Sequence, residues 1–309
     1  MAILVLTAPM PADSYVAALR DTAADIPVWT PDDAHDPQAV EAILAWRLKP
    51  GVVSAYPKLR MLCSVAAGVD KLLAVPDLPP GLPVTRAVDP GQNQQIAQYV
   101  VACTLRFTRD LPLYAQQQAA ASWVRHPVRP AARCRVGVLG LGAVGQAILR
   151  AFVPLGYPVA GWSRSRRDLA GVTTFAGDAE LPALLAQTDV LVCALPLTPA
   201  TQGLLNHRTL AQLPPGAYVV NVGRGEQLVE ADLRALLDAG HLAGAALDVF
   251  EREPPPPDDW VWSHPRVLAT PHIAGEVARS VVAQQVVDAL RRARAGQPLP
   301  LAVDRSAGY

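Results

Sequence analysis

Gly140-Leu-Gly142-Ala-Val-Gly145 is the stretch whose reading decides the fold class. The apolar run Arg135-Val-Gly-Val-Leu139 precedes it, and a helix-compatible run from Ala143 to Phe152 follows. Strand, glycine turn and helix in that order form a cradle for a dinucleotide pyrophosphate. Gly140 permits the tight turn, Gly142 lets phosphates approach the backbone, and Gly145 lets the helix press on the strand. The helix start, with Ala143 and Val144, offers N–H groups and a partial positive charge to the anion. The motif begins near the middle of 309 residues, so a further α/β domain has room before it.

Outward from the motif, short apolar runs alternate with helical patterns. Before it, strands are expected at Ile3–Leu6, Val28–Trp29, Ile43–Trp46, Met61–Val65 and Val84–Ala87, with a helix at Asp13–Arg20. A long helix is expected from Gly91 to Arg109, ending before Leu111-Pro112. After it, strands are expected at Val136–Leu139, Pro158–Trp162, Val172–Phe175, Val190–Ala194, Ala217–Asn221, Gly244–Val249 and Val267–Ala269. A last helix, Val277 to Arg294, is long enough to return to the first domain. This alternation predicts an α/β chain of two Rossmann-like domains with parallel sheets, the cofactor domain inserted into the substrate domain. The expected division is 1–98 plus 285–309 for the substrate-binding, flavodoxin-like domain and 99–284 for the cofactor domain. An arm at 110–133, rich in Gln, Ala and Pro, belongs to the latter and carries Trp123.

Composition narrows the function. Hydrophobic residues make up 51% and formal net charge is zero, which supports two cores and argues against a nucleic-acid partner. The opening run Met1-Ala-Ile-Leu-Val-Leu6 lacks a basic flank and is too short for a signal or a membrane span. Cys63, Cys103, Cys134 and Cys193 form no C-x-x-C pair and read as buried free thiols, which suits a cytoplasmic protein. No metal is called for.

A residue about 20 positions past the glycine loop meets the adenosine ribose. Here that strand ends in Ser163-Arg164-Ser165, where an NAD site would usually carry Asp or Glu. Serine can donate to a 2′-phosphate and a guanidinium can pair with it, so NADPH is the expected cofactor. Three further segments end strands with useful side chains: Asn221-Val-Gly-Arg224, Leu247-Asp-Val-Phe-Glu251-Arg-Glu253 and Thr270-Pro-His272. Arg can hold a carboxylate and polarise a carbonyl, His can hand a proton to it, and Glu can fix the His tautomer. Each type alone is ordinary; three at successive strand ends point to catalysis. His35, His126, His207, His241 and His264 read as surface or structural residues.

With these motifs the chain resembles the D-isomer-specific 2-hydroxyacid dehydrogenases, most nearly the bacterial NADPH-dependent glyoxylate/hydroxypyruvate reductases. Val65-Ala-Ala-Gly-Val-Asp70, Gly161-Trp-Ser-Arg-Ser165, Ala194-Leu-Pro-Leu-Thr198 and Val303-Asp-Arg305 extend the likeness over essentially the whole chain. The resemblance implies an Arg224–Glu253–His272 catalytic set. It implies carboxylate binding by the Ala67 and Gly68 amides, with Trp46 beside the substrate. It places Leu195, Pro196, Asn221, Val222, Gly223, Asp248, His272 and Gly275 on the cofactor. It implies a homodimer held partly through the arm, with Trp123 a candidate contact. Gln98 departs from the Glu that many relatives carry, and no role is given to it.

The expected chemistry is hydride transfer from NADPH to C2 of a small 2-oxo acid, taking glyoxylate to glycolate or hydroxypyruvate to D-glycerate. Domain closure would exclude water. Alternatives are a reductase of another 2-oxo acid and a dinucleotide-sensing binding protein on the same fold. One methylene changes selectivity by only about 1–3 kcal/mol, so the sequence does not rank the substrates.

Overall fold

The structure is a computed structural model describing residues 2–305. In chain order the first elements are β1 (Ala2–Leu6), α1 (Asp13–Thr22), β2 (Val28–Trp29), β3 (Val40–Ala45), β4 (Met61–Ser64), α2 (Asp70–Leu73) and β5 (Val84–Thr85). Then come α3 (Pro90–Thr108), α4 (Leu111–Ala119), β6 (Val136–Leu139), α5 (Ala143–Phe152), β7 (Val159–Ser163), β8 (Thr173–Ala176) and α6 (Gly177–Leu185). The last are β9 (Val190–Cys193), α7 (His207–Leu210), β10 (Ala217–Asn221), α8 (Glu230–Asp238), β11 (Leu242–Leu247), β12 (Val267–Ala269) and α9 (Arg279–Arg294).

The chain divides into two compact units, Met1–Gln92 with Glu276–Tyr309, and Asn93–Gly275. The second unit is thus inserted in the sequence of the first. The expected divisions at 98/99 and 284/285 lie elsewhere, inside α3 and α9. The residues of α9 pack with those of α1, which keeps the whole helix in the first unit.

The first unit carries a five-stranded sheet in the order β2-β1-β3-β4-β5, all pairs parallel. One face is covered by α1 and α9: Tyr15, Val16 and Leu19 bury with Val282, Val286 and Leu290. The returning tail adds an antiparallel bridge between Ala302 and Thr85 of β5. Residues 306–309 lie outside the described residues.

The second unit carries seven parallel strands in the order β12-β11-β10-β9-β6-β7-β8. Central strands β6, β9 and β10 are buried along their full length, as expected where helices cover both faces of a parallel sheet. Successive strands run outward from β6 through β7 to β8, then restart at β9 on the other side of β6. That reversal opens a crevice at the strands' carboxyl ends, between β6 and β9.

Register makes those ends level. Leu139 pairs with Trp162 on one side and Cys193 on the other, Cys193 with Asn221, Asn221 with Leu247, and Leu247 with Ala269. The residues that follow each member of this row therefore emerge at one edge.

One local feature adds to the expected pattern. The long helix α3 ends at Thr108, before Leu111-Pro112 as expected, and Pro112 then opens α4, because its missing N–H falls in a first turn that has no intrahelical acceptor to lose. The expected arm is therefore helical over Leu111–Ala119. Trp123, just beyond α4, is 96% exposed.

All four cysteines are buried and unbridged. Burial pushes the Cys63 and Cys193 thiols up to about 12, which leaves almost no thiolate at neutral pH. An aromatic disulfide reagent should therefore label neither thiol in the native protein and both after denaturation. Rapid native labelling of either would contradict the buried placement.

Candidate active site

The glycine turn after β6 is built by close contact. Gly140 has φ +103°, and a Cβ there would lie 2.6 Å from the Ala194 carbonyl oxygen at the start of the loop after β9. A Cβ on Gly145 would lie 1.7 Å from the Gly140 oxygen, so α5 presses on the turn as closely as backbone allows. Around the Cβ position of Gly142, by contrast, nothing lies within 4 Å. Gly142 caps α5 without any side-chain hydrogen bond, so the first N–H groups of the helix face an open approach. These features suit a pyrophosphate.

At the end of β7, Ser163 is buried and its hydroxyl donates to the Ser165 carbonyl at 2.8 Å. Arg164 and Ser165 are exposed. Arg166 is committed elsewhere: it donates to the Thr174 carbonyl at 3.1 Å and pairs with Glu180. The other Glu180 oxygen accepts from the Ala176 N–H at 2.8 Å. That backbone bond, with Arg166 second, holds the Glu180 carboxyl below the usual carboxylate range. The basic turn is thus anchored through Arg166, and Arg164 is the exposed guanidinium at its start.

The loop after β10 rests on two buried amides. Asn221 accepts from the Gly223 N–H and donates to the Arg224 carbonyl, both at 3.1 Å. Gln227 accepts from the Arg224 N–H at 2.9 Å and donates to the Leu195 and Pro196 carbonyls at 3.0 and 2.9 Å. The half-buried Arg224 side chain donates to the Gly223 carbonyl at 2.8 Å. Gly225, next in sequence, lies against the backbone of Phe250; a Cβ there would overlap the Phe250 carbonyl carbon at 1.8 Å. The Phe250 N–H in turn donates to Glu253 Oε1 at 3.2 Å. Backbone contact therefore joins the Arg224 loop to the Glu253 loop.

Glu253 faces His272. Its Oε2 lies 3.0 Å and its Oε1 3.2 Å from His272 Nδ1. Their side chains are 27% and 33% exposed, sheltered but reachable. A carboxylate on Nδ1 keeps the proton there and turns Nε2 toward whatever approaches the ring.

His272 has φ +55°, a left-handed backbone that a residue with a side chain rarely holds. Asp248 stabilises the surrounding loop. It is 1% exposed; Oδ1 accepts from the Thr270 hydroxyl at 2.6 Å and the Ile273 N–H at 2.9 Å, and Oδ2 from the Ala274 N–H at 2.8 Å. The Thr270 hydroxyl also meets the Tyr99 phenol at 2.7 Å. Both Asp248 oxygens are thus engaged in the His272 loop, a part the sequence did not disclose. Nothing in the sequence pattern singles out Tyr99, Thr270 or Gln227; their roles follow from contacts between distant segments.

In the first unit, Trp46 follows β3 and Ala67 and Gly68 follow β4, adjacent strands whose ends are level through the Ala45–Ser64 pairing. Ser64 Oγ donates to the Gly68 carbonyl and accepts from the Ala66 N–H, both at 3.1 Å, which shapes the turn presenting Ala67 and Gly68. Lys71 Nζ lies 5.2 Å from the centre of the Trp46 ring.

Residues 101–274 match the family described as D-isomer specific 2-hydroxyacid dehydrogenase, NAD binding domain. The chain is 37% identical over 281 residues to glyoxylate/hydroxypyruvate reductase A of Yersinia enterocolitica, covering 89% of each chain. The chain belongs to the D-isomer specific 2-hydroxyacid dehydrogenases. Solved structures agree. A family member from Xanthobacter autotrophicus Py2, in complex with NADPH and MES, superposes with TM-score 0.93 at 40% identity, covering 100% of this chain and 99% of that one. The NADPH-dependent glyoxylate/hydroxypyruvate reductase of Sinorhizobium meliloti, in complex with NADP and sulfate, gives TM-score 0.93 at 34% identity over the same shares. The nucleotide loop, Arg224, Glu253 and His272 all lie in the Asn93–Gly275 unit.

Asp248→Asn should set an amide donor against a backbone N–H of the 270–274 loop. An unsatisfied buried group costs about 1–3 kcal/mol. The expected result is a lower melting temperature and faster hydrogen exchange at the 273 and 274 amides. Exchange as slow as in the parent would remove Asp248 from this holding role.

Proposed function

We propose that this enzyme reduces small 2-oxo acids with NADPH, taking glyoxylate to glycolate and hydroxypyruvate to D-glycerate. The observation that carries the proposal is the His272–Glu253 pair at 3.0 Å, on the same strand-end edge as the glycine turn and Arg224. An acid–base pair on the same sheet edge as a dinucleotide cradle and a guanidinium suits reduction of a carbonyl next to a carboxylate.

The residues fit the cofactor. Gly140, Gly142, Ala143, Val144 and Gly145 would take the pyrophosphate, and Ser163, Arg164 and Ser165 the 2′-phosphate. Leu195, Pro196, Asn221, Val222, Gly223 and Gly275 would line the nicotinamide half, with Asp248 and His272 nearby. When bound, NADPH supplies the hydride that reaches C2.

The chain's own groups do the rest. Arg224 holds the carboxylate and polarises the ketone oxygen, and the Ala67 and Gly68 amides are assigned to the carboxylate as well. Trp46 is assigned to the apolar side of the substrate. His272, protonated at both nitrogens, gives the Nε2 proton to the oxygen as C2 gains the hydride. Glu253 keeps the ring oriented and balances its charge. The product is the 2-hydroxy acid, and solvent reprotonates His272.

A panel of 2-oxo acids with NADPH and NADH, followed by loss of nicotinamide absorbance, tests the reading. Glyoxylate and hydroxypyruvate should turn over fastest, with NADPH. His272→Gln should lose about 10²–10⁴-fold in kcat, the usual worth of a general acid, with NADPH affinity kept. Arg164→Ala should raise the KM for NADPH far more than that for NADH. No turnover of any 2-oxo acid, despite NADPH binding, would overturn the proposal.

The same reading makes the protein a cytoplasmic homodimer joined partly through the arm, with the exposed Trp123 as a contact. Light scattering should return twice the 32.8 kDa chain mass. A monomer mass at micromolar concentration would remove the dimer.

A further inference from the structure

We propose that Gln227 is a positioning residue that locks the substrate-anchoring Arg224 to the loop lining the nicotinamide side. The inference rests on the function proposed above and goes beyond it.

Gln227 is fully buried, in the short turn Gly225–Gln227 after β10. A buried amide is costly unless every group is paired. Here each one is. Oε1 accepts from the Arg224 N–H at 2.9 Å and from the Cys193 thiol at 3.3 Å. Nε2 donates to the Leu195 carbonyl at 3.0 Å and the Pro196 carbonyl at 2.9 Å. The amide orientation is therefore unique, since turning it over would set donors against donors and acceptors against acceptors. Burial raises the Cys193 thiol to about 12, so it remains a protonated donor.

The partners sort by loop. Cys193, Leu195 and Pro196 end β9 or follow it, on the crevice side beside the glycine turn. Arg224 follows β10. One side chain thus bridges the cofactor-lining loop and the anchor loop. Gly223 has made room for it: a Cβ there would lie 2.3 Å from Gln227 Oε1. An apolar side chain of equal length would fill the same space but could not fix the Arg224 N–H against the two carbonyls. A guanidinium that must meet a carboxylate and a ketone at once tolerates little slack, and misplacement by about 1 Å can cost on the order of 10²-fold.

The test uses Gln227→Met, of similar length and without polar atoms, in the full-length enzyme. The readouts are kcat and KM for the best 2-oxo acid, the NADPH Kd and hydrogen exchange at the Arg224 amide. Expected are faster exchange at Arg224 and a drop of about 10–100-fold in kcat/KM, larger than the change in NADPH affinity. In an Arg224→Lys background the same substitution should cost less than about threefold, because the group it positions is already gone. Equal losses in both backgrounds, or kcat/KM within twofold of the parent, would overturn the proposal. Should the Met variant not fold, Gln227→Glu keeps an acceptor for Arg224 N–H but loses the donors to Leu195 and Pro196, and is expected to show the same dependence on Arg224. Exchange at Arg224 needs no turnover. A parent enzyme that reduces no 2-oxo acid while this exchange rises in the variant sinks the function and the positioning of substrate, but leaves the clamp. Unchanged exchange sinks the clamp whatever the turnover.

Discussion

Parallel strands in hydrogen-bonded register end together. In the second sheet Leu139, Trp162, Cys193, Asn221, Leu247 and Ala269 form one row, and the chain must turn immediately beyond it. The segments that follow hold the glycine turn, Arg164, Leu195-Pro196, Arg224, Glu253 and His272. None of these side chains is near another in sequence. Their placement on one edge is a property of strand order and register, with the strand order reversing between β6 and β9.

Loops at a sheet edge have no ladder to satisfy their backbone, so buried polar side chains do it. Asn221 holds the turn before Arg224, Gln227 holds Arg224 against 195–196, and Asp248 holds Thr270 to Ala274. Each presents the complementary group to donors or carbonyls that would otherwise be stranded, at a cost of about 1–3 kcal/mol apiece. The left-handed backbone at His272 fits this picture. Its neighbours on the C-terminal side are pinned by Asp248, and its own N–H donates to the Thr270 carbonyl at 3.0 Å.

The strands were legible because parallel sheets buried on both faces need uninterrupted apolar runs, as in Val190-Leu-Val-Cys193. The glycine turn was legible because only glycine tolerates its contacts, and the strand-end placement of Arg224, Glu253 and His272 because each follows an apolar strand run. What remained hidden depends on distant pairing. The resemblance places Asp248 near the cofactor, and nothing in the sequence shows that its carboxylate also holds a loop more than twenty residues on. Gln227 has no pattern at all until β9 and β10 are side by side. The bond from the Ser163 hydroxyl to the Ser165 carbonyl has no signature in the sequence either. Pro112 reads as a stop, which α3 obeys, and the sequence does not show that it also starts α4.

The covering of α1 by α9 has a consequence for synthesis. Residues that close the first core, Val282, Val286 and Leu290, are made after the entire second unit. On the ribosome, the Asn93–Gly275 unit has all its strands before the first unit has its final helix. Until α9 emerges, Tyr15, Val16 and Leu19 have no helix to pack against, and the earliest residues of the chain wait longest for their native partners. The domain that is begun first is the one finished second.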